Sequence, residues 1–365
     1  MTAGSWMRTL TRSSFVPILV VLVFSGIVIQ QQVFLLRQRV ENLEMALGVE
    51  RAATRSSGSL LNPKPAQAPL VIYNRVPKTG STSFMGVAYD LCTKNSFHVL
   101  HINTTKNSHV LSLPDQARLV HNITEWVEKR PAIYHGHLAY VDFNRFGVAD
   151  PPIYINIVRR PLDRMVSYYY FLRYGDDFRP HLKRRKKGDK MTFDECVESG
   201  LQECDPKNLW LQIPFFCGHA AACWEPGNAW ALEQAKHNLV HNYFLVGVTE
   251  ELEDFVAILE YALPSFFKGA QQQLIDGNKG HLRKTSNKTT PSARTVVAIQ
   301  SSEVWRMENE FYEFVLENFH AVKRRALVLQ SNSDDEADAT LTRDRVPEIM
   351  AEVGQKFHFE KIRPK

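Results

Sequence analysis

The run Val76-Pro77-Lys78-Thr79-Gly80-Ser81-Thr82-Ser83 follows an apolar, β-rich segment, Leu70 to Val76, and leads into residues that open helices. A strand feeding a short loop with a lysine and small residues, and then a helix, is a way to hold a phosphate, because the first amides of the helix point at the ligand. The order is not G-x-x-x-x-G-K-[ST], since Lys78 precedes Gly80 and no first glycine is present, so a P-loop kinase or ATPase is not implied. A second segment, Ile153 to Tyr170, puts Arg159 at the end of an apolar run and Ser167 eight residues on, two turns into the next helix. An arginine fork and a serine hydroxyl so placed can converge on one phosphate. Lys78 with the amides of Thr79, Gly80, Ser81 and Thr82 would hold a second. Two anionic sites at adjacent strand ends suit a nucleotide phosphorylated on both sides of its ribose. A third pattern is His135-Gly136-His137: spacing of two on an extended segment puts both imidazoles on one face. Histidine is a natural base for a hydroxyl near neutral pH. Alone, the pattern is weak and points more often to zinc binding or a packed surface pair than to catalysis.

The elements that must position these groups follow from periodicity. Strand-like runs fall at Leu70–Val76, Phe97–Ile102, Ile133–His137, Ile153–Val158 and Tyr243–Val248, with helical patterns between them. Phe84, Val87, Ala88 and Leu91 line one helical face; Leu252, Phe255, Val256, Leu259 and Leu263 line another, with Thr249 as its expected N-cap. The alternation predicts an α/β fold, a mostly parallel central sheet flanked by helices. Ligands of such sheets collect at the carboxyl ends of strands, where Lys78 and Arg159 both lie. Ser331 to Thr340 is polar and acidic and is expected to be a loop, and Phe357-His358-Phe359 a packing anchor beyond it.

A chain of 365 residues with 44% apolar and 23% charged composition is globular rather than disordered. Its net charge of +5 matters less than its clustering: Arg179 to Lys190 holds seven Lys or Arg. Phe15 to Ile29 carries no charge and extends through three glutamines to Leu36, which predicts a membrane span over 15–36 after a cytoplasmic tail at 1–14. A cleaved signal peptide is the rival reading, without a clear small-residue cleavage site. Residues 37–69 read as a helical stalk with a short a/d pattern, compatible with a coiled coil, and a Ser/Pro/Ala-rich linker, leaving 70–365 as the catalytic domain. The acceptor patterns at Asn103, Asn122 and Asn287 and all five cysteines follow the span, predicting a type II membrane protein with its bulk in the lumen. There the simplest pairing is Cys196 with Cys204 and Cys217 with Cys223, leaving Cys92 free. A lumenal setting excludes nuclear targeting and a nucleic-acid partner for the basic run. Trp210, Phe215, Phe216 and Trp224 read as packing around the second cysteine loop rather than as a sugar platform.

The segments "VPKTGSTS" and "IVRRPLDRMVSYY" resemble the 5′-phosphosulfate loop and the 3′-phosphate site of sulfotransferases that use 3′-phosphoadenosine 5′-phosphosulfate (PAPS). With "YHGHLAYVDF", "LWLQIPFFCGH", "YFLVGVTEELEDF" and "HLRKT", the chain from about Val71 to Leu316 is similar to the glycosaminoglycan branch of that family, the uronyl 2-O-sulfotransferases of heparan sulfate. The resemblance implies the sulfotransferase fold and transfer of a sulfuryl group from PAPS to the 2-hydroxyl of a uronic acid, mainly iduronate, in heparan sulfate, without a metal. It implies His137 as the base with His135 as its partner, an order that is open to reversal, and Lys78 beside the leaving phosphate oxygen. It implies Thr285 and Lys288 over the nucleotide, and Arg75, Tyr89, His101, Arg179 and Arg184 on the substrate, with Lys106 a weaker candidate; a core role for Tyr89 is the alternative. It further implies a homotrimer in the Golgi membrane. Glycosylation is expected at Asn103 and Asn122 but not at Asn287, inside the nucleotide loop. Two residues depart from the pattern: Gly80, where alanine is expected, and Arg160, where aspartate is common. A sulfotransferase acting on dermatan or chondroitin, and a non-catalytic heparin-binding membrane protein, are the competing readings.

Overall fold

Five runs rich in Val, Ile, Leu and Tyr pair as one parallel sheet: β1 (Leu70–Asn74), β2 (His98–His101), β3 (Ala132–Gly136), β4 (Ile153–Val158) and β5 (Tyr243–Val248), in the order β2-β3-β1-β4-β5. Every residue of β1 and β3 is buried, as expected of central strands covered on both faces. The computed structural model describes residues 68–104, 108–176, 181–276 and 285–336, with side chains to 326. The chain divides into two units, Met1–Ala66 and Gln67–Lys365; the first lies outside the described residues and the second carries the fold. The expected tail, span and stalk, Lys106, Arg179 and the segment from Arg343 to Lys365 also lie outside the described residues.

The strands are joined through α1 (Ser81–Leu91), α2 (Leu113–Glu125) and α3 (Pro161–Tyr174). Then come α4 (Phe193–Glu198), α5 (Gln212–Cys217), α6 (Ala229–Asn242), α7 (Leu252–Ala262), α8 (Pro264–Phe267), α9 (Ala270–Asp276), α10 (Ala293–Gln300) and α11 (Glu303–Glu336). Side chains alternate across a strand, so Tyr73 and Asn74 face opposite layers. On the Tyr73 side, Phe84 of α1 meets Tyr73 edge-on at 5.2 Å and Phe255 of α7 at 5.4 Å. On the Asn74 side, Asn74 Nδ2 donates to the Phe215 carbonyl of α5 at 3.3 Å, and Phe216 packs on Tyr243 of β5 and Phe311 of α11. The α5 residues are all buried. Such cores contribute roughly 1.5–3 kcal/mol per buried large apolar side chain.

Two local expectations are corrected. Thr249 does not cap α7: its hydroxyl donates to the Val158 carbonyl at 3.0 Å, tying the ends of β4 and β5, and Thr249–Glu251 forms a 3₁₀ turn ahead of the helix. The segment beginning at Ser331 is not a loop as far as Glu336, because α11 continues through it. Extending a nucleated helix costs little when Gly and Pro are missing, as they are from Glu303 to Glu336.

Candidate active site

The ends of β1 and β4 adjoin, and that juxtaposition brings the phosphate-holding candidates together. After β1 the chain turns with Lys78 at φ 71° and Gly80 at φ 77°, both left-handed. A left-handed lysine costs roughly 1 kcal/mol or more, and its neighbours hold it: buried Thr79 donates to the Val76 carbonyl at 3.0 Å, and Arg159 Nη1 donates to the Lys78 carbonyl at 3.3 Å. At Gly80 an alanine would carry the same backbone strain, and its Cβ would sit 3.3 Å from Thr249 Cγ2; glycine avoids both. Gly80 is the N-cap of α1, with no side chain capping it, which leaves the Ser81 and Thr82 end of the helix open to an anion.

From β4, Arg159 reaches this turn, and Ser167, buried on α3, lies 3.4 Å from Thr285 Oγ1. Thr285 also accepts from Lys78 Nζ at 3.4 Å and is bridged to Asp176. Lys288 is pushed below the usual lysine range, first by desolvation and then by Arg159, with Asp163 working the other way. Lys78, Arg159, Ser167, Thr285 and Lys288 therefore gather at one place. A lysine whose charge is disfavoured by burial and then by Arg159 fits an anionic ligand such as a nucleotide phosphate. Asn287 is exposed two residues from Thr285.

The second cluster forms where β2, β3 and β1 run side by side. The ladder sets His101 opposite His135 and Tyr73 opposite His135, so Arg75 emerges next to His137. Tyr89 of α1 lies 2.8 Å from His135 Nε2, and the His101 and His135 rings meet edge-on at 5.1 Å. Tyr89 is thus neither a plain core residue nor remote from the site. His137 Nδ1 donates to the Arg75 carbonyl at 2.8 Å, which fixes the tautomer and leaves Nε2 as the basic nitrogen. Among the described residues Nε2 makes no hydrogen bond. Burial, and then the Arg75 charge, push His137 down to about 3, with the Arg75 carbonyl opposing. The same two causes in the same order depress His101 and, more strongly, His135. All three imidazoles are neutral at pH 7. Gly136 is required because a Cβ there would lie 2.8 Å from the Ile102 carbonyl oxygen, in the chain just past β2.

The basic run is only partly available to a polyanion. Arg184 turns inward to Asp176 at 3.2 Å and stacks on Phe171 at 4.3 Å, the ring over which Lys78 Nζ lies at 4.2 Å. Lys186 pairs with Glu203, and buried Arg173 is held by Glu203 and Asp189 at 2.6 and 2.9 Å. Lys183, Arg185, Lys187 and Lys190 are exposed. Both expected disulfides, Cys196–Cys204 and Cys217–Cys223, are formed, and Cys92 is free and buried. Trp210 Nε1 donates to the Cys223 carbonyl at 2.9 Å and Phe215 and Phe216 are fully buried, so these aromatics pack around the loop as read. Asn103 and Asn122 are exposed. Among the described residues no group of three His, Cys, Asp or Glu side chains is arranged to hold a metal. An open cavity of ≈ 560 Å³ lies among Ser112, Arg145, His219 and Trp230, and none of Lys78, Arg159, Ser167 and Thr285 lines it.

Several contributors escaped the reading from sequence. Phe171 seats both Lys78 and Arg184, and His109 Nδ1 donates to the His137 carbonyl at 2.9 Å. Asn156 Nδ2 donates to Asn74 Oδ1 at 2.9 Å, and Tyr243 OH to the same oxygen at 3.1 Å, locking β1, β4 and β5 in register below the site. Gln212 brackets the backbone of Arg159. A lone polar residue in an apolar run, as Gln212 is, signals a buried hydrogen-bonding role.

Residues 66–315 match the family described as the sulfotransferase family, and the chain belongs to it. The chain is 57% identical over 296 residues to heparan sulfate 2-O-sulfotransferase 1 of Gallus gallus, covering 81% of this chain and 79% of that protein. The Homo sapiens protein of the same name gives the same identity and coverage. Heparin sulfate O-sulfotransferase of Drosophila melanogaster is 55% identical over 296 residues.

Proposed function

We propose that this chain transfers a sulfuryl group from PAPS to the 2-hydroxyl of a uronic acid, mainly iduronate, in heparan sulfate. The observation that carries the reading is a neutral imidazole, His137, with its Nε2 open and Arg75 at its side, on the strand neighbouring the Lys78 turn. The relatives' names supply the acceptor. The nucleotide, when bound, supplies a pre-activated sulfuryl group on a phosphate leaving group, so no metal is needed for activation. Lys78 and the open end of α1 hold the 5′-phosphosulfate, with Thr79, Gly80, Ser81 and Thr82 lining it; Arg159 and Ser167 hold the 3′-phosphate, and Thr285 and Lys288 close over it.

In the transfer His137 Nε2 takes the proton of the 2-hydroxyl as its oxygen bonds to sulfur in line with the departing phosphate oxygen. Lys78 stabilises the charge that develops on that oxygen. Tyr89 and His101 hold His135 beside the sugar. Arg75 binds the uronate carboxylate, and that anion offsets the charge that depresses His137, raising its basicity when substrate is present. The exposed Lys183, Arg185, Lys187 and Lys190 guide the polyanion, which makes binding salt-dependent.

The chain is further read as anchored in the Golgi membrane by residues 15–36 with its domain in the lumen, supported by the apolar run, the acceptor sites and two disulfides, and as a homotrimer on family grounds. The test of function is the full-length protein in detergent with radiolabelled PAPS, offered desulfated heparan, N-sulfated heparan and dermatan. Label at the iduronate 2-position of heparan supports the reading. Label in dermatan alone moves the activity to that acceptor, and no label with no PAPS binding sinks it.

A further inference from the structure

Gln212 is the sole polar side chain from Leu211 to Phe216, and it is completely buried. Its amide brackets one residue of the site. The Arg159 N–H donates to Gln212 Oε1 at 2.9 Å, and Gln212 Nε2 donates to the Arg159 carbonyl at 2.9 Å. Nε2 also donates to Glu308 Oε2 at 3.3 Å, while Glu308 Oε1 accepts the Leu211 and Ile213 N–H groups at 2.8 and 3.1 Å. Glu308 is fully buried too, on an α11 stripe otherwise built from Val304, Phe311, Val315 and Phe319.

These bonds admit one orientation of the amide. A half-turn would set Oε1 against the Arg159 carbonyl and the Glu308 carboxylate, and the NH₂ group against an N–H. Glu308 therefore holds both the helix turn that carries Gln212 and the direction in which its amide points. What the amide grips is the backbone between the end of β4 at Val158 and the start of α3 at Pro161, where, among the described residues, Arg159 has no ladder or helix partner to fix it. From that fixed backbone the guanidinium reaches the Lys78 carbonyl at 3.3 Å.

We propose that Gln212 and Glu308 position Arg159, and through it set the preference of this site for a nucleotide that carries a 3′-phosphate. The proposal rests on the reading that Arg159 holds that phosphate. A filler role, in which Gln212 only satisfies buried groups, would weaken every ligand alike; a positioning role weakens the 3′-phosphorylated one.

The experiment is calorimetric titration of the full-length protein with adenosine 3′,5′-bisphosphate and with adenosine 5′-monophosphate. Gln212→Met should weaken the bisphosphate about tenfold and the monophosphate by less than about twofold, narrowing the preference by the worth of one to two hydrogen bonds. The KM for PAPS should rise by a similar factor, with kcat at saturation and the acceptor KM unmoved. Glu308→Gln should act in the same direction and more weakly, and the Q212E/E308Q pair should recover part of the loss of Q212E. If Gln212→Met fails to fold, Gln212→Glu keeps the volume and gives the same reading. Parallel weakening of both nucleotides, or no weakening of either, overturns the positioning role. Arg159→Ala separates the layers. If it leaves the preference intact, the 3′-phosphate reading fails and the proposal with it; if it removes the preference while Gln212→Met keeps it, the reading stands and the positioning role alone falls.

Discussion

At the scale of single residues, Lys78 carries both a charge and a strain. Its left-handed backbone favours glycine, so Lys78→Gly should be more stable than Lys78→Ala by about 1 kcal/mol, while both lose transfer. Paired thermal melts and label transfer check this, and equal stability would mean the turn relaxes when the lysine goes. His137→Ala should lose a factor on the order of 10²–10⁴ in kcat with nucleotide affinity kept; near-normal turnover would remove His137 as the base. The pH dependence follows from its environment. Burial and Arg75 hold the free imidazole down to about 3, so the acid limb of kcat/KM from this group should lie well below pH 6.5. A limb at the ordinary histidine value would show that the imidazole is not buried beside Arg75 in solution.

At the scale of elements, the end of β3 determines whether two histidines form a site. His135 and His137 flank Gly136, whose missing Cβ lets the β2 exit at Ile102 approach. Gly136→Ala should push the two strands apart, costing about 1–3 kcal/mol of stability by overpacking and lowering kcat along with it. Chemical denaturation with a parallel activity assay tests this; an unchanged midpoint would place Ile102 farther away. The α5 segment has a matching role on the opposite layer, since its carbonyls and Gln212 meet Asn74 and Arg159, one from each strand that carries the site. Its apolar residues read as core from the sequence, and they are. The part it has in the site comes from main-chain and amide groups that periodicity does not resolve.

For the whole molecule, histidine burial has a consequence for stability. His101, His135, His137 and His219 all have their pKa values lowered in the folded state, burial being the largest cause in each. The unfolded chain then binds more protons than the folded one below about pH 6.5, so stability falls as pH drops through that value toward the folded pKa values. The melting temperature should decline from pH 7 to pH 5, less steeply in His219→Gln, whose pKa is near 4 when folded. A melting temperature flat across that range would contradict the burial. Since each bound polyanion would counter the charge of Arg75, adding heparan should lessen the decline.

The five strands, their parallel arrangement, the Lys78 turn, the nearness of Arg159 and Ser167 to its surroundings and both disulfides were readable from the chain because each rests on local pattern: apolar periodicity, strand-end spacing, short cysteine loops. What the tertiary structure decided was which groups meet. Register across three strands brought Arg75 to His137, and helix packing brought Tyr89 to His135. Glu308, 96 residues beyond Gln212, closes on it, and Arg184 and Lys186 of the basic run are drawn to Asp176 and Glu203 of the fold. A hydrogen bond between residues distant in sequence leaves no periodic trace, and the local pattern of a charge is the same whether its partner is a carboxylate of the fold or a sulfate of the substrate.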